Sequence, residues 1–244
     1  MYTRKRCKTG IEELDKELDG GIPSGSTVIF SGSSGVGKTT LAMQFLVNGT
    51  KMNEKGVFFS ATESVNMLKR FQSSYDFFDE KLIKSGQISL IDLWSISDRL
   101  GLNPESYSFD EANILFEVIR DITKELGAKR LVVDSITSLC FRLHTREMIR
   151  DFIFKLGSSL TLLDCTTVLT SEVPPMTFQF SQNEIEEFIA DGIIFLGDVE
   201  RKGDLIRTLQ VVKMRGTSHS RTRFAINMSA KSGIELAPML KRSL

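Results

Sequence analysis

The chain has no net charge, because its 31 lysine and arginine residues equal its 31 aspartate and glutamate residues. A protein that binds nucleic acid or an anionic membrane through its overall field carries an excess of positive charge, since phosphate groups must be neutralised. We therefore expect neither nucleic acid nor a membrane among the partners, unless a local basic patch supplies what the whole chain lacks.

Cysteine is scarce as well. Cys7, Cys140 and Cys165 are far apart, odd in number and outside any metal-binding spacing, which argues against a disulfide framework and a zinc site. The basic N-terminus lacks an apolar segment of the signal-peptide kind, and no stretch approaches the length of a membrane span. These absences predict a soluble protein of a reducing, cytoplasmic compartment.

The length of 244 residues suits one large α/β domain with a sizeable buried core. We expect residues 1–244 to form that single domain. Within it, residues 1–25 are predicted to form an N-terminal helix and turn, and residues 238–244 a C-terminal tail.

The sequence GSSGVGKT at residues 32–39 matches the phosphate-binding pattern G-x-x-x-x-G-K-[ST] at every fixed position. An apolar run at 27–31 precedes it, and residues 40–46 follow with helical spacing, which predicts strand, loop and helix. The alternative is an ordinary glycine-rich turn, which needs neither the lysine nor these flanks. In the pattern, glycines let the backbone wrap a triphosphate and the amides at the helix N-terminus point at it. The residues expected to bind nucleotide here are Gly32, Ser33, Ser34, Gly35, Val36, Gly37, Lys38, Thr39 and Thr40.

Within this loop, Lys38 is expected to reach the β and γ phosphates, and the Thr39 hydroxyl to hold Mg²⁺. Two acids follow predicted strands. Glu63 comes after the strand at 56–60, and Asp134 comes directly after the buried-strand residues 131–133. Ligands bind at the carboxyl ends of parallel strands, so both acids are placed to face the nucleotide. Asp134 is expected to hold a Mg²⁺-bound water, although an aspartate can also simply cap a strand.

The remaining pattern alternates strands and helices. We predict strands at 87–93, 165–170, 192–196, 205–214 and 223–227, helices at 146–164 and 184–189, and capping boxes beginning helices at Thr9 and at Ser108. The predicted fold is therefore α/β, with a mostly parallel twisted sheet flanked by helices and an antiparallel C-terminal hairpin. Thr170 and Ser171 either donate to a γ-phosphate or are ordinary loop residues.

Three stretches, residues 10–46, 186–196 and 213–219 with the sequence KMRGTSH, resemble KaiC-type ATPases of the RecA/RadA superfamily. The similarity covers nearly the whole chain in the same order. It implies a RecA-like P-loop NTPase core, ATP and Mg²⁺ as cofactors, and a homo-oligomeric ring, commonly a hexamer, with ATP between subunits. Family members commonly carry two adjacent glutamates where this chain has Thr62 and Glu63, and one of them serves as general base. The resemblance therefore implies a catalytic role for Glu63 and a slow hydrolase.

The resemblance also gives Lys213, Arg215 and His219 contacts with the nucleotide of a neighbouring subunit, the first two as catalytic cations supplied in trans. Lys213, Arg215, Arg221 and Arg223 crowd one short hairpin of a neutral chain. By charge alone, that cluster is equally typical of a solvated hairpin.

Three functions remain open from the sequence. The first is a ring-forming ATPase that acts as a nucleotide-dependent regulatory or signalling module with an unknown protein partner. The second is a RadA-like recombinase or helicase acting on DNA, which the lack of lysine and arginine in residues 172–183 disfavours. The third is a non-catalytic, nucleotide-gated scaffold, which the loss of the first glutamate permits.

Overall fold

The computed structural model describes residues 5–177 and 179–239. Its strands are β1 (Arg6–Cys7), β2 (Ile22–Pro23), β3 (Thr27–Gly32), β4 (Gly56–Ser60), β5 (Ile88–Asp92), β6 (Arg130–Asp134), β7 (Thr166–Glu172), β8 (Gly192–Arg201), β9 (Asp204–Met214), β10 (Arg223–Ser229) and β11 (Gly233–Pro238). Its helices are α1 (Glu12–Glu17), α2 (Lys38–Thr50), α3 (Val65–Gln72), α4 (Lys81–Lys84), α5 (Leu93–Leu100), α6 (Phe109–Glu125), α7 (Ile136–Cys140), α8 (Arg146–Thr161) and α9 (Glu186–Ile189).

One nine-stranded sheet organises these elements, in the order β11-β10-β9-β8-β3-β7-β6-β4-β5. The six strands β8, β3, β7, β6, β4 and β5 are parallel to one another. The pairs β8–β9, β9–β10 and β10–β11 are antiparallel. Strands β3, β4 and β6 are buried throughout, as expected where helices cover both faces of a parallel sheet. The predicted fold class is confirmed.

Two apolar layers cover the faces of the sheet. On one face, α1, α2 and the β10–β11 pair enclose a core that includes Leu14, Phe45 and Ile234. On the other face, α5 to α8 enclose a second core that includes Phe116 and Leu156. Helix α2, which follows the glycine loop, is consequently buried on nearly all sides.

The antiparallel region is larger than predicted. In place of one closing hairpin, the chain makes a four-stranded meander, because residues 233–238 add β11 beside β10. The predicted tail at 238–244 is therefore wrong at its start, since Pro238 belongs to β11; residues 240–244 lie outside the described part of the chain.

The first predicted capping box is also wrong. Helix α1 begins at Glu12 with Ile11 as its N-cap and no side-chain capping bond. Thr9 instead donates through its backbone amide and its hydroxyl to Asp15 Oδ1, at 2.7 and 2.8 Å. The second box is confirmed: Ser108 and Glu111 bond each other's backbone amides.

The sequence prediction missed α3, α4, α5 and α7, which have at most eight residues each. Such short helices show too few turns for a helical period to stand out. The predicted strand at 87–93 extends one residue too far, since Leu93 begins α5 under an Asp92 cap. Among the described residues, no helix combines the length and the apolarity that a membrane span requires.

Candidate nucleotide-binding site

The glycine loop joins the carboxyl end of β3 to the first turn of α2. Gly37 precedes α2 with φ of 105°, a left-handed conformation that costs glycine little and other residues more. A Cβ at Gly37 would also lie 2.7 Å from Met228 Cε, and one at Gly32 would lie 2.1 Å from the Leu196 carbonyl oxygen. Gly32 is therefore required by its close approach to the Leu196 backbone, and Gly37 by its left-handed conformation.

Lys38 lies inside the curl of this loop. Its side-chain amine donates to the carbonyl oxygens of Gly32 at 2.9 Å and Ser33 at 2.8 Å, and the residue is only 7% exposed. Burial lowers the pKa of Lys38, and the carboxylates of Glu172 and Asp134 oppose that shift. A buried ammonium with only neutral carbonyls bonded to it is well matched to an anion that enters the loop.

Asp134, at the end of β6, accepts two hydroxyl hydrogen bonds. Thr39 Oγ1 donates to Asp134 Oδ2 at 2.7 Å, and Thr170 Oγ1 donates to Oδ1. Burial raises the pKa of the Asp134 carboxyl, and the two hydroxyl donors and Lys38 act in the opposite direction. The pair of Thr39 and Asp134 is the oxygen donor set that Mg²⁺ takes beside phosphates.

Thr170 and Ser171 are not loop residues as one of the two sequence interpretations held. Both lie in β7 and are fully buried. The Thr170 hydroxyl is engaged with Asp134, and Ser171 Oγ lies 3.4 Å from Thr137 Oγ1. Thr170 therefore holds the Asp134 carboxylate through a hydrogen bond, and Ser171 lies next to Thr137.

Glu63 lies just past the end of β4 and is partly buried. Its backbone amide donates to Ser60 Oγ at 3.0 Å, which fixes the turn. Burial and the neighbouring charge of Asp134 raise the pKa of Glu63. Such a shift brings a carboxylate nearer to the range in which a general base works at neutral pH.

Lys38, Thr39, Glu63 and Asp134 line one cleft of about 350 Å³. The cleft also contains three residues that the sequence analysis missed: Tyr75, Glu172 and Met228. Glu172 ends β7 and could have been predicted by the rule that found Glu63 and Asp134, since it also follows a buried strand. Tyr75 lies in a loop and Met228 in β10; the Tyr75 hydroxyl is 3.4 Å from Met228 Sδ. Only the tertiary structure brings them to the cleft.

Another missed cation contacts the loop from β9. Arg207 Nε donates to the Gly35 carbonyl oxygen at 3.2 Å. Nothing in the pattern around Arg207 distinguishes it from a surface arginine, since the contact spans 172 positions of sequence.

Lys213, Arg215 and His219 lie away from this cleft. Lys213 lies at the end of the sheet opposite the phosphate loop. Its amine donates there to the carbonyl oxygens of Glu187 at 3.0 Å and Ala190 at 2.8 Å. Burial and the charge of Arg215 lower the pKa of Lys213. Arg215 NH1 lies 3.6 Å from Asp191 Oδ1, and partly buried His219 has its Nδ1 3.0 Å from the Ser220 carbonyl oxygen. Within one chain, the structure does not bring these three residues together with the phosphate loop.

The fold and the cleft define a P-loop nucleotide-binding protein of the RecA type. Residues 7–241 match the family model described as ATPase: KaiC. A UPF0273 protein of Thermotoga maritima is 35% identical over 96% of this chain and 96% of its own length. UPF0273 protein PH0284 of Pyrococcus horikoshii is 34% identical over 98% and 97%.

The circadian clock oscillator protein KaiC of Parathermosynechococcus lividus is 30% identical over 96% of this chain, which spans 42% of that longer protein. The crystal structure of KaiC-like protein PH0186 from Pyrococcus horikoshii OT3 superposes with a TM-score of 0.84 at 34% identity, covering 96% of this chain and 99% of the other. The chain belongs to the KaiC family of ATPase domains. Nucleotide binding follows from that membership.

Proposed function

We propose that this protein is a single-domain, KaiC-like ATPase that binds ATP with Mg²⁺, hydrolyses it slowly in a ring of identical subunits, and acts as a nucleotide-dependent regulatory or signalling module. The observation that carries the proposal is the convergence of Lys38, the Thr39–Asp134 pair and Glu63 on one cleft. Each group has the chemistry that one part of a phosphoryl transfer site needs.

The loop and Lys38 bind the phosphate tail. Backbone amides at the start of α2 point toward the anion, and the Lys38 amine exchanges the carbonyl oxygens of Gly32 and Ser33 for phosphate oxygens. The Thr39 hydroxyl and, through water, Asp134 would hold Mg²⁺, which supplies neutralisation of charge on the β and γ phosphates. Tyr75 and Met228 line the same cleft and would pack against the nucleoside.

Glu63 serves as the general base that orients water and accepts its proton. Thr62 is exposed and has no carboxylate, so Glu63 is the single acid at the place where family members commonly have two adjacent glutamates. Slow hydrolysis is the expected consequence.

Lys213 and Arg215 act on the nucleotide of the neighbouring subunit, with His219 as a further contact. These residues lie at the end of the sheet opposite the phosphate loop. That position supports action in trans, because no side chain is long enough to reach from one end of the strands to the other within the chain. A ring closes when such head-to-tail contacts repeat around a rotation axis.

The test is Lys38→Ala, with Lys124→Ala on the exposed face of α6 as the matched control. Loss of a charge-assisted contact costs about 1.5–3 kcal/mol, so ATP affinity measured by titration calorimetry should fall at least about tenfold in the first variant only. Affinity equal to the wild type in Lys38→Ala would end the site assignment.

Two alternatives are separated by simple measurements. Arg142, the first basic residue after α7, donates to the carbonyl oxygens of Pro104 and Ser138, so it is poorly placed to contact DNA. Salt-dependent retention on single-stranded DNA would nevertheless favour a recombinase or helicase function. A nucleotide-gated scaffold would bind ATP without turnover, and a steady-state phosphate-release assay would reveal it.

A further inference from the structure

Glu172 is an acid at the phosphate cleft for which the functions above assign no role. It ends β7, level with Gly32 in the register of β3 and β7. Its backbone amide donates to Thr137 Oγ1 at 2.9 Å, which fixes its position, and its side chain lines the cleft. Among the described residues, no cationic nitrogen lies within 4.0 Å of its carboxylate.

The protein groups that line the cleft carry more negative than positive charge. Its lining includes three acids, Glu63, Asp134 and Glu172, against one cation, Lys38. A phosphate tail adds further negative charge, and an ionised carboxylate cannot donate a hydrogen bond to it. Apart from the Mg²⁺ of the proposed function, which Thr39 and Asp134 would hold, a cation bonded to Glu172 would offset the repulsion between this exposed glutamate and the phosphate tail.

The chain carries such a cation at the far end of the same sheet. Arg215 has a side chain 59% exposed and lies 3.6 Å from Asp191. Asp191 also accepts from the Thr27 amide at 3.1 Å, so it keeps a partner if Arg215 leaves. Lys213 is less free, because its amine is held by two carbonyl oxygens of its own chain.

Arg215 and Glu172 cannot meet within one chain. The Arg215 amide bonds the Asp191 carbonyl, and the Asp191 amide bonds the Thr27 carbonyl, which places Arg215 level with the first residue of β3. Glu172 is level with the last. At about 3.3 Å per residue, the six residues of β3 separate the two levels by roughly 16 Å. Opposite charges at opposite ends of one sheet are complementary in a head-to-tail contact between two copies.

We propose that Glu172 is the acceptor that seats Arg215 of a neighbouring copy beside the γ-phosphate. The inference rests on the proposed function and names the residue that positions its trans cation. A guanidinium has five donors in a planar fork, so one edge bonds the carboxylate while the other faces the phosphate. The contact is strongest with ATP bound, which makes assembly depend on nucleotide.

The test is a charge swap in the full chain. Glu172→Arg, Arg215→Glu, the double variant, Glu172→Gln, and the control Glu117→Arg on α6 are compared with wild type. ATP affinity is measured by calorimetry, assembly with and without ATP by sedimentation velocity, and turnover by phosphate release.

Close interfacial charge pairs couple by about 1.5 kcal/mol or more, so each single reversal and Glu172→Gln should lose at least about tenfold in ATP-dependent assembly and turnover. Glu172→Arg and Glu172→Gln should bind ATP no more weakly than wild type, because a repelling charge has gone. The double variant should regain at least about tenfold in assembly over the worse single variant, and Glu117→Arg should match wild type.

Assembly of Glu172→Gln at the wild-type level, or a double variant no better than its parents, overturns the inference while leaving ATP binding by the wild type intact. A wild type that neither binds ATP nor assembles with it overturns the proposed function and this inference together.

Discussion

Arg130, at the amino end of β6, forms a buried ion pair with Glu54, and removing Glu54 should destabilise the fold strongly. The Arg130 side chain is 0% exposed and that of Glu54 is 20% exposed, with NH2 2.7 Å from Oε2. Arg130 Nε donates to Glu54 Oε2 at 2.8 Å and NH1 to the Phe45 carbonyl oxygen at 2.7 Å. The guanidinium carbon also lies 4.5 Å from the centre of the Phe45 ring.

Arg130 links two elements that carry the site, because it contacts Phe45 as well as Glu54. Arg130 begins β6, which ends at Asp134, and Phe45 lies in α2, which begins at Lys38. Glu54→Ala leaves the guanidinium with one carbonyl and one ring but no counter-charge. Breaking a buried pair by removing one partner costs about 3–5 kcal/mol. Because water reaches Glu54 in part, we expect the lower end, about 3 kcal/mol.

A double-mutant cycle isolates the pair. Arg130→Met fills much of the same volume, so the double variant Glu54→Ala/Arg130→Met should be destabilised by at least about 1 kcal/mol less than the sum of the single variants. Urea unfolding is followed by circular dichroism and by fluorescence of Trp94, the single tryptophan. The control is Glu12→Ala, whose ion pair with Lys16 is as short at 2.6 Å but 67% and 75% exposed, and which should not change stability measurably.

Additive free energies in this cycle, or a cost of Glu54→Ala no larger than that of Glu12→Ala, would refute the reasoning. Either result would mean that Arg130 finds another partner or water when Glu54 is absent.

Two further predictions concern the acids of the site. As the proposed general base, Glu63 must be ionised for hydrolysis. Because burial and Asp134 raise its pKa, kcat should fall with decreasing pH at a higher pH than an ordinary glutamate would give, and Glu63→Gln should be slow and lack this fall. A pH profile of kcat that is identical in shape for the two proteins would contradict the assignment. Thr170→Val removes a hydroxyl that donates to buried Asp134 and should destabilise the protein by about 1–3 kcal/mol. The control is Thr167→Val in the same strand, which removes a buried hydroxyl that has no hydrogen-bond partner among the described residues. It should leave the free energy of unfolding in urea unchanged or raise it. A loss of stability equal to that of Thr170→Val would show that the hydrogen bond to Asp134 is not the cause of the Thr170→Val effect.

The parts of the fold that were predicted correctly depend on local pattern. The glycine loop, the strand before it and α2 were predicted from consecutive residues, because the loop pattern and its flanks together indicate strand, loop and helix. The capping box at Ser108 likewise predicted the start of α6. The box at Thr9 failed because Asp15, six positions later, competes for the Thr9 hydroxyl and amide. Strand β11 was missed because its apolar residues pack against α2 and β10, which are distant in sequence.

The sequence by itself determined the glycine loop with its lysine and threonine, and the acids placed where buried strands end, and these are the residues to which we assign the phosphate chemistry. That information is local, because a phosphate loop is built from consecutive amides. Only the tertiary structure decided which side chains share the cleft, since Glu172, Tyr75 and Met228 arrive there from separate elements. It also decided that Arg215 and the phosphate loop lie at opposite ends of one sheet, because the direction of each strand is set by how the whole sheet pairs.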